Sequence, residues 1–472
     1  METMVIEVPA ELKEIVKPIA ALIANSQRRL AKAADGRAVD YGEVEREVAG
    51  EVAAIERAIH RQQLAALDVD EPRVLIGGRG HVRVGRYPAT YYTPVGEVQV
   101  LRSIYRPADE RNGKTVDAIS VRAGVVADGW LPQTARAIAR LVESMPSREA
   151  EAVASEMGRL PYSRTSMERV AHGVGEHYVA CHVEIGGQLI KDFKLPRAAA
   201  SVSIGIDRVS MPMEEPRPRP AGRPRKGAAK RPVTVAYRMA YVGTVTLHDR
   251  EGNALHTIRH ACMPDGDAKQ LCRTMASDVL VLLEKRPRLA VTLLSDGAHE
   301  MVDLLATEVA TRLGVDSVQL VDFWHLVEKL APAAQVISAD EASALLARWK
   351  LRMLNTEYAA VDILGELAAS GLEHRRVGNT QPVHEAMTYI DNHRLCMNYA
   401  AARARGLPIG SGTVEATCKT LVSVRMKRAG SRWKTETGNH VLQLRALALS
   451  DRWSDGMDLT LRPLRKAVRA AA

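Results

Sequence analysis

The 472-residue chain carries 65 Lys and Arg against 56 Asp and Glu, a formal charge of +9, with 46% apolar residues. That length exceeds one compact core and predicts two to four domains, and the charge favours an anionic partner, nucleic acid ahead of membrane. No uninterrupted apolar run of about eighteen residues occurs, which argues against a helical membrane span, and the acidic start "METMVIEVPAELKEIV" lacks the pattern of a secretion signal.

Residues 1–72 read as helical, with apolar spacing in "LKEIVKPIAALIANSQRRLAKAA" and "VEREVAGEVAAIERAIHRQQLAAL". Over 73–125 the pattern changes to short strands punctuated by Gly and Pro, "RVLIGG", "HVRVG" and "EVQVLRSIYR". Three helical segments follow, near 131–145, 147–159 and 163–176. The last two, joined by "GRLPY", have the form of a helix-turn-helix within a region 126–195, with Ser147 and Ser163 as N-caps and Gly158 as the stop. Its second helix would offer Arg164 and Arg169 to DNA beside Glu168, although such helix pairs also occur as plain packing units.

Residues 214–232, "EEPRPRPAGRPRKGAAKRP", interleave proline with Arg and Lys and hold no apolar residue larger than Ala. Burial there cannot offset ordering entropy, so a basic loop is expected, either a solvated linker or a phosphate-tracking arm. Before it, "ASVSIGIDRVSM" alternates like a strand that ends near Asp207. After it come two strands around the turn "DREGN", a helix near 267–286, and the strand of "LAVTLLSDGAHEM", which delivers Asp296 into a Gly turn. "SVQLVDFWHLVEKLAP" is a short strand entering a helix. A helical stretch fills 324–405 before "GLPIGSGTVEATCKT" brings Glu415 into another helix, and residues 453–472 read as a basic tail. From Arg394 onward about fifteen Lys and Arg face about five acids, a concentrated basic surface. Five scattered cysteines (Cys181, Cys262, Cys272, Cys396, Cys418) form no CxxC pair and fit a reducing, cytoplasmic setting.

The order β-β-β-α-β-α-β, helical insertion, α matches a ribonuclease H-like α/β domain built from 196–323 and 406–452. "SIGIDRVSMPMEE", "LLSDGAHEM", "VDFWHLVEKL" and "IGSGTVEATCKTLVSVRMKRAGSRW" together resemble the DDE transposases of bacterial insertion sequences, of the Kra type and related to Mutator-like enzymes. The resemblance covers roughly residues 200–452. It implies Asp207, Asp296 and Glu415 as catalytic metal ligands, and it matches "DFWH", with Asp322 and His325, to the Asp/Cys-x-x-His motif of Mutator-like enzymes. It further implies two magnesium ions, with manganese as a substitute, duplex DNA as partner (element terminal repeats and target), and a homo-oligomer on DNA. Where relatives carry CxxC pairs in the strand-rich region, this chain has none, so no structural zinc is expected.

The chemistry needs such a set. In-line phosphodiester cleavage holds the attacking and leaving oxygens beside two metal ions about 3.5–4 Å apart, and magnesium takes hard carboxylate oxygens. Three converging carboxylates repel by roughly 4 kcal/mol per pair at about 4 Å, a cost that divalent cations reverse. Taken alone, Glu415 would be a first-turn helix acid near Lys419. Arg425, Lys427, Arg428, Arg432 and Lys434 are expected to meet phosphates, and Trp433 to stack on an unpaired base or to pack in a core. His325 would contact the scissile phosphate or serve as a hydrogen-bonded helix histidine. Asp265 and Asp267 read as turn and cap residues, Glu214 and Glu215 as more distant acids. A non-catalytic DNA-binding descendant and a nuclease acting on RNA–DNA hybrids are the competing functions.

Overall fold

The computed structural model describes residues 7–216 and 233–471; the Pro/Arg-rich stretch lies outside the described residues from 217 to 232. The fold is mixed α/β and divides into two units, residues 1–180 with 457–472, and residues 181–456. Each unit holds one five-stranded sheet. No described helix is long and apolar enough to cross a membrane.

In the first unit, helices α1 (Lys13–Ala33) and α2 (Tyr41–Ala65) precede strands β1 (Arg73–Ile76), β2 (Arg79–Thr93), β3 (Gly96–Pro107) and β4 (Val116–Asp117). Short helices α3 (Ala118–Ala123), α4 (Pro132–Ser144) and α5 (Ser147–Glu156) follow. Ordinary packing holds the cysteine-free sheet: Tyr91, Val98, Val100 and Ile119 form one buried cluster, and Val74, Tyr105 and Ala118 another. Buried Asp117 ties strand to helix, accepting from the Tyr91 hydroxyl at 3.0 Å and pairing with Arg102 at 2.6 Å.

Three expectations change here. The helix read at 163–176 is α6 (Arg164–Asp192), which runs on past its glycines to a kink at Cys181. Ser147 is the first residue of α5 rather than its cap, and its hydroxyl donates to Glu168. The last twenty residues are not simply a tail. They begin with a helix, α18 (Trp453–Leu461), and end in the edge strand β10 (Val468–Ala470), which pairs antiparallel with β1.

The second unit centres on β5 (Ser201–Pro216), β6 (Val233–His248), β7 (Ala254–Cys262), β8 (Ala290–Ser295) and β9 (Ser317–Val321), in the order β7-β6-β5-β8-β9. Strands β5, β6 and β7 pair antiparallel, whereas β8 lies parallel to both β5 and β9. Strand alternation sorts the faces. Val202, Ile204, Ile206, Val291 and Leu293 pack on α7 (Ala268–Lys285) and on α8 (His299–Leu304), which a wide turn at Leu305–Ala310 joins to α9 (Thr311–Leu313). Asp267 caps α7, accepting from the Lys269 and Gln270 amides, and Asp265 takes the Thr435 hydroxyl.

After β9 come α10 (Phe323–Ile337), α11 (Ala342–Asn355), α12 (Ala359–Ala369), α13 (Pro382–His393) and α14 (Tyr399–Ala404), which share a core built around Trp349, Phe323 and Ile363. The chain then returns through α15 (Gly412–Thr417), a wide turn at Cys418–Ser423, α16 (Val424–Met426) and α17 (Thr435–Leu449). Val414, Leu421, Met426 and Leu442 cover the sheet's other face at Met211, Met213, Ala240 and Val242.

Candidate functional site

Register brings two of the acids level. Gly205 pairs with Leu294 across the parallel β5–β8 ladder. Two residues further on, Asp207 and Asp296 therefore stand side by side where the parallel β5–β8 pairing ends, on strands whose axes lie about 4.8 Å apart. Asp296 is just past β8 and Asp207 is within β5, which runs on to Pro216 instead of ending near Asp207 as the sequence suggests. Gly205 and Asp207 share the face opposite the Ile204 and Ile206 core. A Cβ at Gly205 would stand 3.2 Å from Val414 Cβ, so α15 lies directly on β5 at this point and carries Glu415 to the same end of the sheet.

Three further elements brace these positions. Gly297 has a φ of +91°, and a Cβ there would meet the Tyr389 hydroxyl at 2.7 Å, so the "SDG" turn needs glycine on both counts. Tyr389 donates its hydroxyl to the Asp296 carbonyl at 2.9 Å, and His393 reaches the Gly297 carbonyl at 2.6 Å, which pins the turn to α13. Asp322 caps α10, accepting from the Trp324 and His325 amides at 2.6 and 3.0 Å, while its other oxygen accepts from the Ser411 amide. The Phe323 amide donates to the Ile409 carbonyl at 3.0 Å. The "DFWH" segment thus clamps the loop that launches Glu415.

Each acid takes a donor from its own neighbourhood: Asp207 the Arg208 amide at 2.6 Å, Asp296 the Ala298 amide at 2.9 Å, and Glu415 the Ser411 hydroxyl at 3.0 Å. Burial raises the Asp207 carboxyl above its ordinary range, and the neighbouring Asp296 charge adds to the rise. Cys418, one turn beyond Glu415, is 3.5 Å from Asp207. Burial pushes its thiol up, and the charges of Asp207, Glu415 and Asp296 all push the same way. That thiol sits among all three acids.

The set of potential ligand atoms that come within 4.8 Å of one another is a different one among the described residues: Asp322, His325 and Glu415. His325 Nδ1 lies 3.5 Å from a carboxylate oxygen of each. The adjacent Asp322 raises the His325 imidazole to about 9, against the effect of burial. Burial would raise the Asp322 carboxyl, but His325 and the Ser411 amide outweigh it and hold it near 2. At neutral pH this is an imidazolium between two carboxylates. Three amide hydrogens already occupy most of the Asp322 acceptor sites.

The expected DNA-contacting residues separate. Lys427, Arg432 and Lys434 are exposed; Lys427 reaches Ser210 at 3.2 Å, and Arg432 pairs with Glu214 at 3.4 Å. Arg428 is half-buried and donates to the Val424 carbonyl. Arg164 and Arg169 lie exposed on α6 in the other unit. Arg425 and Trp433 do not fit a surface role. Arg425 is 5% exposed and sits 5.1 Å over the Trp433 ring, whose indole N–H donates to the Met426 carbonyl. The Trp433 backbone extends the β5 edge, its amide donating to Pro212 and its carbonyl accepting from Glu214. Trp433 is a packing residue. Trp324, which the sequence reading passed over, is 55% exposed beside Asp322, and Lys350 lies over its ring. Glu215 is engaged by Arg238.

No family model matches this chain, and no curated protein does.

Proposed function

We propose that the second unit is a ribonuclease H-like nuclease domain and that the protein is a DNA transposase, cleaving element ends and transferring them to target DNA. The observation that carries the reading is the alignment of Asp207 with Asp296 where the parallel β5–β8 pairing ends, with α15 seated on Gly205 and bearing Glu415. The order of the sheet, three antiparallel strands followed by two parallel ones, supports the fold.

The donor chemistry fits a divalent pair. The three residues offer hard carboxylate oxygens, and the Asp207 carboxyl is raised mainly by burial, with the Asp296 charge adding to the rise. Asp207, Asp296 and Glu415 would hold two magnesium ions, which supply an activated water oxygen and stabilise the departing one. The chain's own groups do the placing. The Tyr389 and His393 contacts fix the Asp296 turn, the Asp322 clamp fixes the Glu415 loop, and the His325 imidazolium faces the phosphate approach as a hydrogen-bond donor. Exposed Trp324 is the stacking surface for an unpaired base. Lys427, Arg432 and Lys434 neutralise flanking phosphates.

A second reading, one cation held by Asp322, His325 and Glu415, rests on their proximity. The protonation of His325 and the saturation of Asp322 favour an ion-paired brace instead. The test is nicking of duplex DNA bearing the element ends. Magnesium-dependent activity is expected in the native chain and a loss of at least a hundredfold in Asp296→Asn, with duplex binding kept. Unchanged nicking by the variant would remove the mechanism, and a preference for RNA–DNA hybrid would favour the housekeeping nuclease.

A further inference from the structure

At the end of the same sheet away from Asp207, a crevice of about 630 Å³ opens where β5 and β8 begin and β6 ends. Arg197, Arg250, Arg286 and Arg288 line it with Asp249 and Glu251. Four arginines against two acids leave the crevice a formal charge of +2. Asp249 is spent on its own turn, accepting from the Glu251 and Asn253 amides and the Asn253 side chain. Glu251 is exposed and forms no ion pair among the described residues. Arg286 is structural, donating to the carbonyls of Pro196 at 3.1 Å, Arg197 at 3.3 Å and Ala199 at 2.5 Å. Lys285 beside it holds the carbonyls of Ile190, Lys191 and Phe193, so the loop that presents Arg197 is anchored by two cations.

Arg197, Arg250 and Arg288 remain. All three are exposed, and none pairs with an acid among the described residues, although Arg208, Arg238, Arg273 and Arg352 in the same unit all do. Arg250 is also placed rather than loose. A Cβ at Gly406 would meet the Arg250 carbonyl at 2.5 Å, so two loops lock together under it. Three unpaired guanidiniums on braced loops around an open crevice match phosphate oxygens, which they can each take in bidentate fashion. The crevice is open and its free donors sit on the rim, which suits an extended backbone better than a single enclosed head group.

We infer that Arg197, Arg250 and Arg288 form a second phosphate-binding site that holds the phosphodiester backbone of duplex DNA. It stands about 20 Å from Asp207, the rise of the six residue steps from Ser201. One duplex lying along the sheet can therefore touch both ends. The site requires no cleavage chemistry and stands apart from the carboxylates.

The test uses the full chain in EDTA with a 20-base-pair duplex and a potassium chloride titration. Each phosphate contact contributes about 0.9 to the slope of log K against log salt. The triple variant R197A/R250A/R288A is expected to lose about 2 to 3 from that slope and at least tenfold in affinity near 100 mM salt, and lysine at the three positions to recover most of the slope. EDTA removes divalent ions from the assay, so the slope reads cationic side chains alone, which separates this site from the carboxylates. An unchanged slope in the triple variant, or no duplex binding by the native chain, overturns the inference. Inorganic pyrophosphate separates the sources of phosphate. Micromolar pyrophosphate binding that the triple variant abolishes, with an unaltered DNA slope, would assign the crevice to a small anion and overturn the DNA assignment.

Discussion

Asp322→Ala isolates the brace on which the position of Glu415 depends. The substitution removes the cap of α10, which costs about 0.5–2 kcal/mol. It also strands the buried Ser411 amide, at about 1–3 kcal/mol. The sum, about 1.5–5 kcal/mol, brackets the value from the protonation of the same group. The Asp322 side chain is 1% exposed, and its carboxyl falls from an ordinary 3.8 to about 2 in the folded chain. That difference is worth roughly 2 kcal/mol, present above pH 3.8 and lost as the pH falls through 2. Amide hydrogen exchange reads the effect locally. Protection of Ser411 and of the first turn of α10 is expected to fall by about tenfold to several thousandfold, while α7 on the opposite face keeps its rate. Asp322→Asn keeps one acceptor for α10 but turns an amide donor toward Ser411, and it should fall between. Less than a threefold change at Ser411 in the alanine variant would refute the clamp.

Three other outcomes follow from the same geometry. The His325 imidazole is raised to about 9, so the stability it contributes is complete below pH 6.5 and fades as the pH rises through 9. A proton NMR titration should place its midpoint near 9, and a midpoint at or below 6.5 contradicts the ion pair. Trp324→Ala should weaken single-strand DNA binding about tenfold, consistent with one lost stacking contact, and leave the melting temperature nearly unchanged. Trp433→Ala should do the reverse, lowering the melting temperature by several degrees through lost packing, with little change in DNA affinity; exchanged phenotypes would overturn both assignments.

Much of the second unit is legible in the sequence because its strands alternate cleanly and end in Gly or Asp turns. Asp207 and Asp296 stand out there, each just beyond an apolar run, although β5 itself continues past Asp207 to Pro216. The bracing is not legible. Asp322 and Ser411 are 89 residues apart, and nothing local marks the amide that this carboxylate serves. Cys418 offers only its spacing of three from Glu415. Trp433 misleads because a tryptophan in a basic segment looks like a stacking platform until the β5 edge is seen beside it. The glycines of "HGVGE" suggest a helix end, yet α6 continues through them. One of them, Gly173, lies where a Cβ would meet Ala127 at an ordinary contact distance of 3.5 Å, so neither packing nor backbone conformation requires glycine there. A three-residue edge strand such as β10 is too short to carry a periodicity.

The most direct measurement is anomalous scattering from crystals of the chain soaked in manganese. Density bridging the carboxylates of Asp207 and Asp296 is expected, with Glu415 turned from Ser411 toward it. Manganese bound only between Asp322, His325 and Glu415, or none within reach of Asp207, would contradict that expectation.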